Sequence, residues 1–318
     1  DGQVVAAESE LIDEAGAFPG SPVAAGIQCM MAHYDIPTAY LKAFDVVINR
    51  PKAAAYRAPG APASAFCMET AIDELAEKLG MDPLEFRLLN SAKEGVRRVT
   101  GPVSPKVGFI ETLQATKDHQ HYNTKLEGKL RGRGVATGFW TNNSGPASAV
   151  AVVNPDGTIS LVEGSPDIGG SRTAMAMHLA EVLGIPATDI KPSIADTDSI
   201  GYSSGAGGSG VTFKMGTAVY RAAEDVRQQL IERAARIWDV TPDDVEYEDG
   251  ELHHKEDPEL RMTLKQIARR LNGTGGPIVG TATANPAGVG NAFALHIVDV
   301  EVDPETGKVD ILRCTAIQ

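Results

Sequence analysis

Cysteine, positive charge and long apolar runs are all scarce in this chain. The three cysteines, Cys29, Cys67 and Cys314, are far apart and form no CxxC pair. Neither a disulfide framework nor cysteine ligation of a metal is therefore expected. Cys67 falls among apolar residues of a predicted helix, where we expect a small buried side chain. This cysteine usage is typical of a reducing, cytoplasmic compartment.

The scarcity of lysine and arginine excludes one class of partner. Together they number 29, against 42 aspartates and glutamates, which gives a formal net charge of −13. Nucleic-acid binding is not expected, because it needs a basic surface that neutralises phosphates. An acidic surface would suit a cationic partner, but solubility is the simpler interpretation.

The apolar runs are too short for a membrane helix, which needs roughly 20 residues. The first residues are not basic, begin without Met and contain no apolar signal core, so no membrane span and no signal peptide are expected. Asp1-Gly2 is typical of a β-hairpin turn, and the chain stops within a predicted strand. We therefore expect that both ends were cut from a longer polypeptide.

The length and hydrophobic content of the chain predict two compact units. The chain has 318 residues, of which 42% are hydrophobic, and this is enough for two buried cores. Residues 1 to about 50 predict strands and loops. Residues 62–80 predict a helix that ends at Gly80. Asp82, Pro83 and Glu85 then predict an N-cap and a capping box for a second helix, at 83–90.

Residues 91–129 predict a connecting segment between the two units, because their hydrophobic periodicity is weak. The segment contains His119 and His121, which would ligate a metal only if a third ligand folded nearby. No third ligand is evident, so an exposed polar loop is the simpler interpretation.

The second half repeats the order strand, glycine-rich loop, helix. Asn154-Pro155-Asp156-Gly157 predicts a hairpin between strands at 147–153 and 158–163. A helix at 171–183, a strand at 189–195 and a long helix at 212–238 follow. This repetition predicts an α/β fold whose loops gather at one sheet edge.

The last quarter predicts one further helix and a strand pair. Thr263-Leu264-Lys265-Gln266 is a capping box that opens a helix ending near Gly273. Strands at 294–302 and 308–316 follow, joined by the turn at 303–307.

Three glycine-bearing loops are candidates for chemistry: 56–62, 168–173 and 206–212. The last two begin helices, where free N–H groups and the helix dipole attract anions, and glycines let a phosphate come close. Two such loops would suit a ligand with a pyrophosphate. Glycine-rich turns also simply connect strands to helices, and both interpretations stay open at this point.

Common catalytic motifs are missing. The loops at 168–173 and 206–212 match neither a Walker A motif nor a Rossmann GxGxxG motif, and no GxSxG elbow stands between a strand and a helix. Asp196 and Asp198 fit turn and capping roles better than a metal pair. His178 is interpreted as a half-buried histidine within the 171–183 helix.

The stretch AYRAPGAPASAFCMETAIDELAEKLGMDPLEFRLLN, at 55–90, resembles the molybdenum-binding large subunit of the xanthine dehydrogenase and aldehyde oxidase family. Three further stretches resemble this family in the same order: SPDIGGSRTAMAMHLAEVLGI, DTDSIGYSSGAGGSGVT with the helix after it, and FALHIVDVEVDPETGKVDIL. The resemblance covers nearly the whole chain apart from 91–130.

The resemblance implies a mixed α/β fold with two molybdopterin-binding-type subdomains, mixed sheets and flanking helices. Residues 1–92 would be the C-terminal part of a first cofactor-binding domain, 93–130 a connector, and 131–318 the N-terminal part of a second. The cofactor would be molybdenum on a pyranopterin, in the cytosine dinucleotide form. Whether this fragment alone holds it stays open.

The resemblance also implies a set of site residues. The backbone of Arg57 and Ala58 would face the molybdenum oxygens, with Pro59 in the substrate pocket. No residue of the chain would ligate the metal. The pterin and its pyrophosphate would lie against residues of the second and third loops, namely Gly169, Gly170, Ser171, Gly207, Gly208 and Ser209.

Three departures from the family pattern matter. Ala58 stands where carbon monoxide dehydrogenases of this family have a cysteine, so CO oxidation is not expected. Gly170 replaces a glutamine that contacts the pterin in many members. Gly210 replaces an arginine, which removes a cation from the phosphate region.

The implied activity is molybdopterin-dependent oxidation of an aldehyde or an N-heterocycle, with water as the oxygen source. Iron–sulfur and FAD subunits would accept the electrons, in a dimer of heterotrimers. The general-base glutamate is expected beyond Gln318, and neither Glu69 nor Glu163 is assigned that role, so the isolated chain is expected to be inactive. Two alternatives remain: a non-catalytic cofactor-binding or assembly module, and an unrelated α/β phosphate-binding enzyme.

Overall fold

The computed structural model describes residues 1–106, 108–196, 198–287 and 290–318. The helices are α1 Val23–Met30, α2 Ala61–Leu79, α3 Pro83–Leu89, α4 Phe109–Asp118, α5 Gln120–Asn123, α6 Ser171–Leu183, α7 Val211–Trp238 and α8 Leu264–Ala268. The strands are β1 Ala6–Gly16, β2 Thr38–Val47, β3 Arg131–Thr141, β4 Ala147–Val153, β5 Ile159–Glu163, β6 Ile190–Ile194, β7 Val245–Glu248, β8 Glu251–His254, β9 Arg261–Thr263, β10 Val279–Ala284, β11 Asn291–Val302 and β12 Val309–Ile317.

The chain packs into two compact units. Unit 1 comprises Asp1–Thr141 and Gly290–Gln318, and unit 2 comprises Asn142–Val289. Residues 290–318 belong to unit 1 because β11 pairs along its length with β3. Packing is a different criterion from cofactor binding, so the domain division at 1–92, 93–130 and 131–318 stays a prediction.

Unit 1 contains two small sheets. Strands β1 and β2 are parallel, and the antiparallel strands β12, β11 and β3 form the other sheet in that order. Helix α1 connects β1 to β2 and was not predicted. Its Gly26 lowers helix propensity, but this glycine lets α1 pack closely on the loop before α2, since a Cβ there would lie 3.2 Å from the Gly60 carbonyl oxygen.

Helix α2 confirms the predicted helix at 62–80 to within one residue at each end. Gly80 ends it with φ of +64°, and its N–H donates to carbonyls of the last turn. The prediction of a buried Cys67 is wrong, because Cys67 is exposed and its neighbour Phe66 is 74% exposed. Residues at a spacing of four, Met68, Ile72 and Ala76, face the core instead, and Cys67 lies on another side of the helix.

Helix α3 begins at the predicted N-cap. The Asp82 carboxylate accepts hydrogen bonds from the N–H groups of Leu84 at 2.8 Å and Glu85 at 3.1 Å. The Glu85 side chain pairs with Lys117 of α4, which is a different partner from the one a capping box would give it.

The predicted exposed loop around His119 and His121 is wrong for His121. His119 caps the short helix α5, because its Nδ1 accepts a hydrogen bond from the His121 N–H at 3.0 Å. The His121 ring is 0% exposed, with Nε2 3.0 Å from Asp299 and Nδ1 2.9 Å from the Thr315 hydroxyl. These partners lie more than 170 residues away, so no local pattern reveals them. Val107 of the predicted connector lies outside the described residues.

Unit 2 is built on a mixed sheet in the order β10-β4-β5-β6, with β5 and β6 parallel. The predicted hairpin is confirmed by the antiparallel pairing of β4 with β5, and by a left-handed Gly157 in the turn. Helix α6 has the predicted bounds, and α7 begins one residue earlier than predicted. Strand β10 and the small sheet β7-β8-β9 were not predicted.

Candidate functional site

The loop before α2 in unit 1 has an unusual backbone. Arg57, Ala58 and Gly60 have φ values of +31°, +51° and +77°, and left-handed conformations cost L-residues roughly 1–2 kcal/mol each. Gly60 cannot be replaced without strain, since a Cβ there would lie 2.5 Å from the Pro22 carbonyl oxygen and 2.7 Å from the Gly26 nitrogen. Packing against α1 therefore fixes the path of this loop.

An apolar cavity of about 270 Å³ opens beside this loop in unit 1. Ala58 and the helix residue Pro62 form one side of it. The predicted pocket residue Pro59 is half-buried and is not one of the residues that line it, and Arg57 is exposed. The other walls include three aromatic residues, Phe139, Trp140 and Phe293, together with alanines of α2 and β11.

A buried ionic network braces α2 in unit 1. The Glu69 carboxylate accepts hydrogen bonds from Arg87 Nε at 2.9 Å, the Tyr34 hydroxyl at 2.5 Å and the Thr137 N–H at 2.6 Å. Burial by itself would raise the pKa of Glu69, but His33 and the Arg87 charge outweigh burial and hold it at about 2. Glu69 is thus ionised and fully engaged, which does not suit a general base.

The first loop of unit 2, residues 164–170, leads from β5 to α6. Gly169 and Gly170 have φ values of +64° and +80°, and a Cβ on either would meet nothing within 4 Å. The start of α6 already has an anion, because Asp167 accepts the Arg172 N–H at 3.1 Å. Ser171 is turned inward, since its hydroxyl accepts from the Ile168 N–H and donates to the Pro166 carbonyl, both at 3.2 Å.

The second loop of unit 2, residues 195–210, leads from β6 to α7. Gly208 packs against Asn143, and a Cβ there would lie 2.0 Å from the Asn143 side-chain nitrogen. Gly210 is held as closely, since its Cβ would lie 2.6 Å from the Asn143 carbonyl oxygen. In this loop conformation, position 210 therefore has no room for a side chain. Ser209 is left-handed at +62°, and Gly207 faces open space.

Each of these loops has a buried charge at its base. Glu163, 0% exposed, accepts the Ser165 N–H and hydroxyl on one oxygen, and the other oxygen has no hydrogen-bond partner within the described residues. Burial raises the pKa of Glu163, partly offset by the Ser165 hydrogen bonds. Lys214, 2% exposed, donates to Ser204 and Gly205, and burial lowers its pKa.

The two loops lie at the same edge of the sheet, as predicted, because the parallel strands β5 and β6 both end there. They also touch, since a Cβ on Gly164 would lie 2.3 Å from the Ser203 hydroxyl. At the start of α7, the N–H groups of Val211, Thr212 and Phe213 have no acceptor in the described part of the chain. These donors and the open glycines suit a phosphate-bearing cofactor.

The predicted roles of two other residues are confirmed. Asp196 accepts the Asp198 N–H at 2.9 Å, as a turn residue does. His178 is half-buried on α6. Thr197 lies outside the described residues, and within residues 1–106, 108–196, 198–287 and 290–318 no cluster of three possible metal ligands occurs.

Sequence reasoning missed Lys214 and Asn143. The available signal for Lys214 was its position four residues after Gly210, which places it one helical turn further along α7. Nothing local marks Asn143, because its role depends on the close approach of a loop 65 residues later, through an Asn143 N–H to Gly208 carbonyl bond of 2.8 Å.

Family comparison agrees with this geometry. Models of the molybdopterin cofactor-binding domain match residues 1–91 and residues 109–318. The chain therefore belongs to the molybdopterin cofactor-binding family, and its fold is mixed α/β with two such domains.

Similar proteins are named as subunits of molybdenum enzymes. The putative xanthine dehydrogenase molybdenum-binding subunit XdhA of Escherichia coli (strain K12) is 31% identical over 284 residues, covering 83% of this chain and 38% of that protein. The aldehyde oxidoreductase molybdenum-binding subunit PaoC of the same strain is 29% identical, covering 85% and 37%. The chain thus spans well under half of the length of these relatives.

Solved structures show the same fold. Quinoline 2-oxidoreductase from Pseudomonas putida 86 superposes with a TM-score of 0.83 at 23% identity, covering 99% of this chain and 45% of that one. A Cu,Mo-CO dehydrogenase superposes with a TM-score of 0.84 at 22% identity, covering 99% and 45%. No helix in the described residues is long and apolar enough to cross a membrane.

Proposed function

We propose that this chain is part of the large subunit of a molybdenum hydroxylase and that the loops of unit 2 bind the pterin and pyrophosphate of its cofactor. The observation that supports this most directly is the start of α7, where three N–H groups lack acceptors within the described residues beside the open Gly207. Amides at a helix N-terminus bind phosphate oxygens.

The proposed contacts differ along the two loops. Gly169, Gly170, Gly207 and Ser209 are exposed and offer backbone to a ligand. Gly208 and Ser171 would act by shaping the loops, because Gly208 packs on Asn143 and Ser171 bonds inward. In unit 1, the fixed backbone of Arg57 and Ala58 would face the molybdenum, with Pro59 near the substrate.

The bound cofactor, proposed in its cytosine dinucleotide form, would supply the two-electron oxidation of an aldehyde or N-heterocycle. Cytoplasmic location, iron–sulfur and FAD partners, and a dimer of heterotrimers are part of the same proposal. Ala58 offers no sulfur donor for copper, so we propose that CO is not a substrate. The family assignment argues against the alternative of an unrelated phosphate-binding enzyme.

We assign no catalytic residue to the chain. Glu69 is held by three donors and is buried, and Glu163 is 0% exposed, so a substrate cannot reach either carboxylate. The 318 residues alone should therefore give no molybdenum-dependent turnover. Turnover by the purified 318-residue chain with an aldehyde or N-heterocycle and an artificial electron acceptor would contradict this.

The test of cofactor binding uses two matched glycines of unit 2 in the full-length subunit with its partners. Gly207 and Gly273 are both exposed, and a Cβ on either meets nothing within 4 Å. Gly207→Asp puts a carboxylate beside the proposed phosphate site, and the molybdenum per subunit should fall at least about tenfold, a loss of roughly 1.4 kcal/mol or more in binding. Gly273→Asp should leave it unchanged. Equal molybdenum and nucleotide content in both variants, by metal analysis and mass spectrometry, would refute the proposal.

A further inference from the structure

Lys214 is buried in the first turn of α7 and reaches back to the second loop of unit 2. Its Nζ donates to the Ser204 carbonyl at 2.9 Å, the Ser204 hydroxyl at 2.6 Å and the Gly205 carbonyl at 2.8 Å. An ammonium has three N–H donors, so all of them are used within this loop.

These bonds set the direction of two peptide groups. A trans peptide is planar and holds its C=O and N–H on opposite sides. Because the carbonyls of Ser204 and Gly205 turn toward Lys214, the N–H groups of Gly205 and Ala206 turn away from it. Neither N–H has an acceptor within the described residues. They add two outward donors to those at the start of α7.

Lys214 also forms no ion pair with any acidic side chain of the described residues. Its described contacts are two carbonyls and a hydroxyl, and burial alone accounts for the lowering of its pKa. A buried charge is costly unless a counter-charge accompanies it. A pyrophosphate on the outer side of the loop would supply that counter-charge, and in a site of low dielectric the attraction acts across several ångströms.

We infer that Lys214 is a positioning residue of the pyrophosphate site: it turns the Gly205 and Ala206 amides outward and provides the positive charge that holds the anion. This rests on the proposed function above. It also replaces the cation missing at Gly210, where a side chain would collide with Asn143.

The test separates charge from shape in the cofactor-free full-length subunit, with inorganic pyrophosphate as the probe. Lys214→Met keeps much of the length and loses the charge, and the Kd for pyrophosphate should rise about tenfold or more. Lys214→Arg keeps the charge in a different shape, so the Kd should stay within about threefold, while the amides of 204–213 exchange hydrogen faster than in wild type. Lys191→Met, an exposed lysine on β6, is the control and should change neither quantity.

The outcomes distinguish this inference from the proposed function. If the wild type binds no pyrophosphate and the full complex contains no molybdenum, the proposed function fails. If the wild type binds pyrophosphate and Lys214→Met binds it equally well, with unchanged exchange at 204–213, the role of Lys214 is refuted. If Lys214→Met does not fold, Ser204→Ala removes one of its acceptors, and unchanged exchange at 204–213 in that variant refutes the role as well.

Discussion

The two glycine-rich loops of unit 2 share a place in the fold and differ in electrostatics. Both follow a strand of the parallel pair β5 and β6 and open a helix. The first has the carboxylate of Glu163 at its base and Asp167 at its helix start, whereas the second has the ammonium of Lys214. Glycine content alone therefore does not decide which loop attracts an anion. The charged side chains that contact each loop also determine whether it attracts an anion.

The largest expected effect comes from comparing two buried carboxylates. Glu69 is fully paired and Glu163 is not, so we expect the Glu69 charge to contribute much more to the free energy of unfolding. Glu69→Gln leaves Arg87 buried without its main counter-charge and should lower the free energy of unfolding by about 3–5 kcal/mol. Glu163→Gln removes a charge that burial already disfavours and should change it by less than about 1 kcal/mol. Chemical denaturation of the full-length variants measures both. Similar losses for the two would mean that Glu163 has a buried counter-charge.

The second prediction compares the rigidity of the loops. Gly208→Ala adds a Cβ 2.0 Å from Asn143 at a left-handed φ and should cost about 2–4 kcal/mol, since overpacking adds to backbone strain. Gly170→Ala is also left-handed but meets open space, so it should cost about 1 kcal/mol. Thermal unfolding of the two variants gives the order, and a larger loss for Gly170→Ala would contradict the packing of Asn143.

The third prediction concerns removal of the negative charge at the start of α6, which makes the first loop electrostatically more like the second. Asp167→Ala removes the carboxylate that accepts the Arg172 N–H and should destabilise the protein by about 1 kcal/mol. It should also tighten pyrophosphate binding, since the start of α6 loses a competing anion. Asp167→Asn, which keeps an acceptor without the charge, is the matched control and should retain most of the stability. Weaker pyrophosphate binding by both variants would show that Asp167 assists the site.

The smallest effects are the opposite pH dependences of the two buried charges. The pKa of Glu163 is raised from 4.5 by burial, so the folded chain binds the extra proton and the unfolding free energy falls as pH rises above 4.5. The pKa of Lys214 is lowered from 10.5 by burial. The folded chain therefore loses this proton more readily than the unfolded chain, and the free energy of unfolding rises as pH increases toward 10.5. Differences between wild type and Glu163→Gln or Lys214→Met, measured across pH, should have these opposite slopes. If the unfolding free energy changed with pH in the same direction for both residues, the two buried charges would not differ as described.

Features with local signals could be predicted from the sequence. Helix α6 was predicted with its bounds, Thr263 and Gln266 form the predicted capping box, and the 154–157 turn joins the predicted strands. Each of these depends on residues within a few positions of one another.

Features set by distant partners could not be predicted. His121 is buried against Asp299 and Thr315, and Gly26 of α1 packs closely on Gly60, 34 residues later. In the candidate site, glycine patterns indicated both loops, but the difference between them depends on Lys214, which appeared in the sequence as an ordinary helix residue.

The left-handed run at Arg57, Ala58 and Gly60 has a consequence for binding entropy. Ordering a backbone residue costs roughly 1–2 kcal/mol, and packing of Gly60 on α1 orders this loop during folding. A ligand that contacts its backbone would meet a preorganised surface, so this entropy loss would not reduce its affinity. Removing the α1 contact would therefore weaken binding through greater freedom of the unliganded loop, without changing any atom that touches the ligand.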